Sequence, residues 1–174
     1  MPKNAALILA AGKGTRMHSD RPKVLQTLLG APMLACVTAA LRPVFADDVW
    51  IVAGHRADMV QAAFPDARFV LQEEQLGTGH ALMQALPALM QAGCTHLLVV
   101  NGDVPLLSEK LVRFFLAESV GADLAFATIE LENPGAYGRV VRQQGKVRAI
   151  VEAKDYDAAL YGSCPNEVNA GMAA

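Results

Sequence analysis

The sequence is short of charge, of cysteine and of aromatic residues, and each shortage removes a class of protein. Charged residues make up 18% of the 174, against 53% hydrophobic and 6% aromatic. A chain with that balance has enough apolar surface to repay the entropy of folding, which excludes disorder. Formal net charge is −2, and outside one loop the basic residues are scattered, so neither a nucleic-acid-binding face nor a nucleic-acid partner is expected. No apolar run approaches the ~20 residues that cross a bilayer. The apolar stretch in MPKNAALILAAG is too short, and lacks the cleavage site, for a secretory signal. The three cysteines, Cys36, Cys94 and Cys164, are odd in number, far apart and without a C-x-x-C pair. That argues against a disulfide framework or a zinc site. Cys36 and Cys94 stand among apolar residues and are expected in or near the core. His18, His55, His80 and His96 show no metal-ligand spacing. These absences lead us to expect a cytoplasmic protein with no membrane partner.

What is present is an alternation of short apolar runs and amphipathic segments. Ala5 to Leu9, Asp48 to Ala53, Arg68 to Leu71, His96 to Val100 and Asp123 to Ile129 read as strands. Between them, Leu34, Val37, Leu41 and Phe45 recur at helical spacing after Pro32, a residue suited to a helix start. Met59, Val60 and Phe64 suggest a short helix closed by Pro65. Leu82, Leu86, Leu89 and Met90 predict the apolar face of a helix from about Thr78 to Gln91, which Pro87 interrupts. Ser108 is placed to cap a helix buried through Leu111, Val112 and Phe115. Strands separated by helices pair in parallel, so the expected fold is α/β, a three-layer α/β/α Rossmann-like sheet that is mostly parallel. Near the end, Arg139 to Arg142 and Lys146 to Val151 flank Gln144-Gly145, a hairpin that adds a small antiparallel part. There is no internal repeat or linker, and residues 1–174 are read as a single domain.

The stretch LAAGKGTRMHSDRPK, from Leu9 to Lys23, organises the functional reading. It follows the first strand and turns through Gly12 and Gly14, with Lys13, Arg16, Arg21 and Lys23 around them. A glycine-rich turn brings backbone N–H groups close to a phosphate, because no Cβ intervenes. Four cations this close repel one another unless an anion lies between them, which points to a polyphosphate. The spacing does not fit a Walker A loop. It does not fit a dinucleotide fingerprint either, since Met17 stands where the third glycine belongs, and this counts against a dehydrogenase.

Further along, Gln72 to His80 reads QEEQLGTGH. A glutamine amide both donates and accepts, which suits the imide edge of uracil. Gly77 permits close approach, and Thr78 stands near a helix N-terminus. Taken by itself the segment is equally a polar loop followed by a cap. Asn101-Gly102-Asp103-Val104-Pro105 follows the fourth strand. There Asp103 suits Mg²⁺ held through one carboxylate, with phosphates and waters completing the shell. The same run is also good turn chemistry. In an open parallel sheet, loops at the carboxyl ends of the strands converge on one pocket.

The run L-x-x-G-x-G-T-x-M, then four residues and P-K, carried by Leu9, Gly12, Gly14, Thr15, Met17, Pro22 and Lys23, resembles the signature of sugar-1-phosphate nucleotidyltransferases. The segment Q-x-x-Q-L-G-T-G-H-A resembles the corresponding loop of the uridylyltransferase domain of bifunctional GlmU proteins, which make UDP-N-acetylglucosamine. The resemblance implies the nucleotide-diphospho-sugar transferase type of fold. It implies nucleotide binding by Leu9, Ala10, Ala11, Gly12, Gly14, Lys23, Gln72, Gly77, Thr78, Asn101, Gly102 and Asp103. It also implies catalysis by Arg16 and Lys23, and Asp103 as a ligand of the cofactor Mg²⁺. Tyr137-Gly138-Arg139, Val151 to Asp155 and Asn169-Ala170-Gly171 resemble the family's Y-G-R, V-E-x-K-D and N-x-G segments. That makes Gly138, Glu152 and Asn169 the expected sugar contacts. Asn101 departs from the tyrosine often found there.

The implied partners are UTP and N-acetylglucosamine 1-phosphate, and the implied products UDP-N-acetylglucosamine and pyrophosphate. Attack on the α-phosphorus comes from a phosphate oxygen already anionic near neutral pH, so no strong general base is expected. GlmU proteins continue beyond Ala174, through a second Asn that ligates the metal and a β-helical acetyltransferase domain through which full-length relatives trimerise. The chain is accordingly expected to be cut short and to lack acetyltransferase activity. A nucleotidyltransferase with another base or sugar, and a nucleotide-binding module without turnover, are the alternatives.

Overall fold

The structure is a computed structural model that describes residues 3–14 and 19–174. The chain divides into two compact units, one running to Ala122 and the other Asp123–Ala173.

The first unit is built on four parallel strands. Strand β1 (Asn4–Ala10) is followed by a single 3₁₀ turn (Lys23–Leu25) and a small hairpin, β2 (Thr27–Leu28) and β3 (Ala31–Pro32). Helix α1 (Met33–Phe45), β4 (Val49–Ala53), α2 (Ala57–Ala63), β5 (Arg68–Leu71), α3 (Thr78–Gln91), β6 (His96–Asn101) and α4 (Glu109–Glu118) follow. β1 pairs in parallel with both β4 and β6, and β5 joins the outer side of β4. The spatial order β5-β4-β1-β6 reverses direction at β1, which makes the β1–β6 edge the switch point.

Burial explains the elements. Ala5, Ala6, Leu7 and Ile8 are completely buried, as a strand covered on both faces requires. Ala5 and Leu7 pack with Val52 and with Ala81, Ala85 and Leu89 of α3. α1 buries Leu34, Val37, Leu41 and Phe45, the four residues whose spacing predicts it, and Pro32 precedes its first turn. Ser108 caps α4 as expected, its Oγ accepting from the Leu111 N–H at 3.2 Å, although α4 buries only Val112 while Leu111 stays exposed.

α3 keeps its predicted bounds but only part of its predicted face: Leu82 and Leu89 pack on the core, and Leu86 and Met90 do not. Its buried stripe is Ala81, Ala85 and Leu89, whereas Leu86 is 41% and Met90 73% exposed. Small side chains face the sheet because the helix lies close to it, a preference that a hydrophobicity ranking does not reveal.

The second unit is antiparallel. β7 (Phe126–Glu130), β8 (Arg139–Gln143), β9 (Lys146–Val151), a short helix α5 (Ala158–Tyr161) and β10 (Glu167–Ala173) compose it. β10 pairs with β7 and β8, and β8 with β9. The β8–β9 hairpin turns through Gln144 (φ 52°) and Gly145 (φ 77°), the two positive φ values of a tight hairpin turn. The run from Asp123 was expected to join the parallel sheet, but β7 pairs antiparallel with β10. Its partner arrives much later in the chain, beyond the reach of a local pattern.

Arg142 clamps this unit with two hydrogen bonds of 2.7 Å to the Glu167 carboxylate. They hold that carboxyl below its ordinary range, against the opposing effect of burial. A depressed folded-state pKa contributes stability above the unfolded-state value and loses it as pH falls through the folded one. Acidification from about pH 7 to about pH 3 should therefore lower the melting temperature of the wild type more steeply than that of Glu167→Gln. Parallel curves would mean that the pair contributes nothing.

Candidate active site

Four strand ends lie side by side. Ala10 is opposite Ala53, Ala53 opposite Leu71, and Leu9 opposite Asn101. The pairing runs slightly past the strands: Gly102 N–H donates to the Leu9 carbonyl at 2.9 Å, Gln72 N–H to Ala53 at 2.8 Å, and His55 N–H to Ala11 at 3.3 Å. The loops that leave these ends surround a cleft of about 380 Å³. Leu9 and Ala10 at the end of β1 and Ala11, Gly12 and Gly14 of the first loop line it, with Lys23 and Val24 beyond; Gln72, Gln75 and Gly77 line it from the second loop, Thr78 and Ala81 from the start of α3, Asn101 from the end of β6 and Asp103 from the third loop.

Backbones crowd where the loops meet. At Gly14 (φ +59°) a Cβ would stand 2.8 Å from Lys23 Cβ, and at Gly54 it would meet Ala11 Cβ at 2.8 Å and the Gln72 carbonyl oxygen at 2.9 Å. Gly102, which is not among the lining residues, lies beneath the cleft, where a Cβ would come 3.2 Å from the Leu9 carbonyl oxygen.

The electrostatics rest on one pair. Lys23 Nζ lies 2.5 Å from Asp103 Oδ2, joining the first and third loops, with the side chains 42% and 30% exposed. Among the described residues, Lys23 is the one cation and Asp103 the one carboxylate lining the cleft. No group of three or more His, Cys, Asp or Glu gathers anywhere among them to cage a metal by itself. A lone carboxylate beside room for a ligand suits a hard cation that takes its remaining oxygens from phosphates and water.

The second loop is held from within. Gln72 is 3% exposed; its Nε2 donates to the Gly77 carbonyl at 3.1 Å and lies 3.0 Å from His80 Nδ1. Gln75 Nε2 donates to the carbonyls of Gln72 and Glu73, both at 3.1 Å. Gly77 precedes α3 at φ 105°, ψ 180°, a backbone open to glycine alone.

Residues 6–158 match the MobA-like NTP transferase domain. The chain belongs to that family. It is 66% identical over 169 residues to the bifunctional protein GlmU of Nitratidesulfovibrio vulgaris (strain DP4), covering 96% of this chain and 37% of that protein. The GlmU protein of Lawsonia intracellularis (strain PHE/MN1-00) is 47% identical, with 97% and 37% covered. The chain thus spans just over a third of the length of these relatives, and its resemblance to GlmU proteins is borne out. In fold it is similar to a crystal structure described as mannose-1-phosphate geranyltransferase from Thermus thermophilus, with a TM-score of 0.76 at 20% identity over 98% of this chain and 56% of that one. Nucleotidyltransferases of this kind generally use a divalent metal.

The cleft brings together every residue expected from sequence to bind nucleotide except Gly102, which lies against Leu9 and Val24 of its lining. Arg16 lies outside the described residues. Gly138, Glu152 and Asn169 belong to the second unit and meet within it. Val151, Arg139 and Val168 stand abreast on β9, β8 and β10, so their neighbours Glu152, Gly138 and Asn169 emerge at one end of the sheet. The Asn169 N–H donates to the Gly138 carbonyl at 3.0 Å, and a Cβ on Gly138 would lie 3.9 Å from Glu152 Oε1.

Other contributors escaped the sequence reading. Val24 and Ala81 are ordinary core residues by type. Gly54 passes for a turn glycine, and Gln75 for a polar loop residue, although its place in Q-x-x-Q was a usable signal. Gly54→Ala forces Ala11 or the Gln72 carbonyl to move. It should cost about 1–3 kcal/mol in urea unfolding and weaken nucleotide binding at the same time. A variant with unchanged stability and affinity would show that the crossing of these loops tolerates a methyl group.

Proposed function

We propose that the chain transfers the UMP group of UTP to N-acetylglucosamine 1-phosphate, releasing pyrophosphate, and that its two units serve as one nucleotidyltransferase domain. The observation that carries this reading is the convergence of the Gln72–Gly77 loop with Lys23 and Asp103 at the ends of four parallel strands. It occurs in a chain two-thirds identical to a GlmU protein.

The residues divide the work by chemistry. The buried Gln72 side chain and the Gly77 backbone receive the uracil. Ala10, Ala11, Gly12 and Gly14 bring backbone dipoles to the phosphates with no side chain larger than a methyl group in the way. Asp103 would hold Mg²⁺, which when bound supplies charge neutralisation at the phosphates. Lys23, paired with Asp103 in this structure, turns its ammonium to the triphosphate, and Arg16 adds a second cation. Gly138, Glu152 and Asn169 orient the sugar. A phosphate oxygen of the sugar phosphate forms the new bond to the α-phosphorus as the bond to pyrophosphate breaks. The nucleophile is already anionic, so these residues position charge and move no proton. A reaction fed by UTP belongs in the cytoplasm.

Pyrophosphate release with Mg²⁺, UTP and N-acetylglucosamine 1-phosphate tests the reading. Lys23→Met should lower the rate roughly 10²–10³-fold, and Asp103→Ala should abolish it. Because the pair is partly exposed, either change should shift stability by no more than about 1 kcal/mol. Release that is indifferent to the nucleotide base, or to Asp103→Ala, would overturn the proposal.

A further inference from the structure

Gln72 is the most deeply buried polar side chain of the cleft, and its amide has two faces of opposite hydrogen-bonding character. Which face meets a base decides which base is accepted. The network behind it settles the orientation.

The Gly77 carbonyl can only accept, and it already accepts the Ala81 N–H at 3.1 Å. The Gln72 atom 3.1 Å from that carbonyl must therefore be the nitrogen, since turning the amide over would set oxygen against oxygen. The same nitrogen lies 3.0 Å from His80 Nδ1. Nδ1 must then offer its lone pair, which places the imidazole proton on Nε2. Nε2 faces the Gln84 amide at 3.1 Å through the atom assigned as nitrogen. Two N–H groups do not bond, so this amide, on the exposed side of α3, is the one that turns over, and its oxygen accepts.

With both its hydrogens committed to Gly77 and His80, the Gln72 amide has only Oε1 left for a ligand. Among the described residues no group donates to that oxygen. Uracil presents N3–H, which Oε1 accepts. Cytosine presents a bare N3, and acceptor would face acceptor.

We propose that His80, backed by Gln84, is a positioning residue that locks the Gln72 amide with its oxygen toward the base, so that the cleft selects uracil over cytosine. This rests on the uridylyl-transfer reading above. His80 itself touches no substrate; it acts by closing the orientation in which Gln72 would offer its NH₂ group.

The test is calorimetric titration of the full chain with UTP and with CTP in Mg²⁺, together with ¹⁵N NMR of the imidazoles. The wild type should prefer UTP, and His80 should carry its proton on Nε2. His80→Asn places an oxygen close to where Nδ1 stands and should keep the wild-type preference. His80→Leu removes the acceptor and should narrow the UTP-to-CTP ratio roughly three- to tenfold, the scale of one hydrogen bond. His80→Gln, whose oxygen falls nearer the Nε2 position, should behave like His80→Leu and substitutes for it if that variant does not fold. A ratio unchanged in both variants, affinities for both nucleotides that fall together, or a proton on Nδ1 would overturn the inference alone. A wild type that binds neither nucleotide, or both equally, would overturn the uridylyl-transfer reading and this inference with it.

Discussion

β1 has a strand on each side and both run parallel to it, and the functional arrangement depends on that constraint. Parallel strands in register must release their chains at the same edge. Ala10, Ala53, Leu71 and Asn101 therefore end side by side, and three polar loops from distant parts of the sequence are forced into one space. Space there is tight: a Cβ at Gly14 or at Gly54 would come within 3.0 Å of a neighbouring residue, and one at Gly102 within 3.4 Å. The tight packing of β1 below and the cleft above have the same cause.

Within that space the chain sets a cation against an anion. Lys23 and Asp103 are too exposed for their pair to be a strong stabilising device. Its value is preorganisation. Each partner keeps the other in position at the edge of the cleft, which is what the proposed binding of a polyphosphate and a divalent cation requires of them. The glutamine loop is governed differently, by hydrogen bonds that satisfy its own donors and leave one acceptor over.

Much of this was legible in the sequence, for definable reasons. α1 could be read because the residues that recur at helical spacing are the ones it buries. The β8–β9 hairpin could be read because Gln-Gly accepts the positive φ values of the turn. The α3 face was read only in part: Leu82 and Leu89 pack on the core as expected, but Ala81 and Ala85 share the burying, and hydropathy also favours Leu86 and Met90, which stay exposed. The direction of β7 depended on β10, which no local pattern announces. In the cleft, residue chemistry marked the glycine loop, Gln72 and Asp103. The grouping of Gly138, Glu152 and Asn169 was visible only through likeness to a family. That the Gln72 nitrogen is committed to Gly77 and His80 was invisible, because it follows from where the first turn of α3 places an imidazole.

The central claim is that three loops form one nucleotide site, and hydrogen-exchange mass spectrometry with and without UTP and Mg²⁺ tests it most directly. The account predicts that peptides covering residues 9–14, 72–80 and 101–103 gain protection together, at the same nucleotide concentration. Protection confined to one of them, or appearing on α1 and α4 instead, would contradict it.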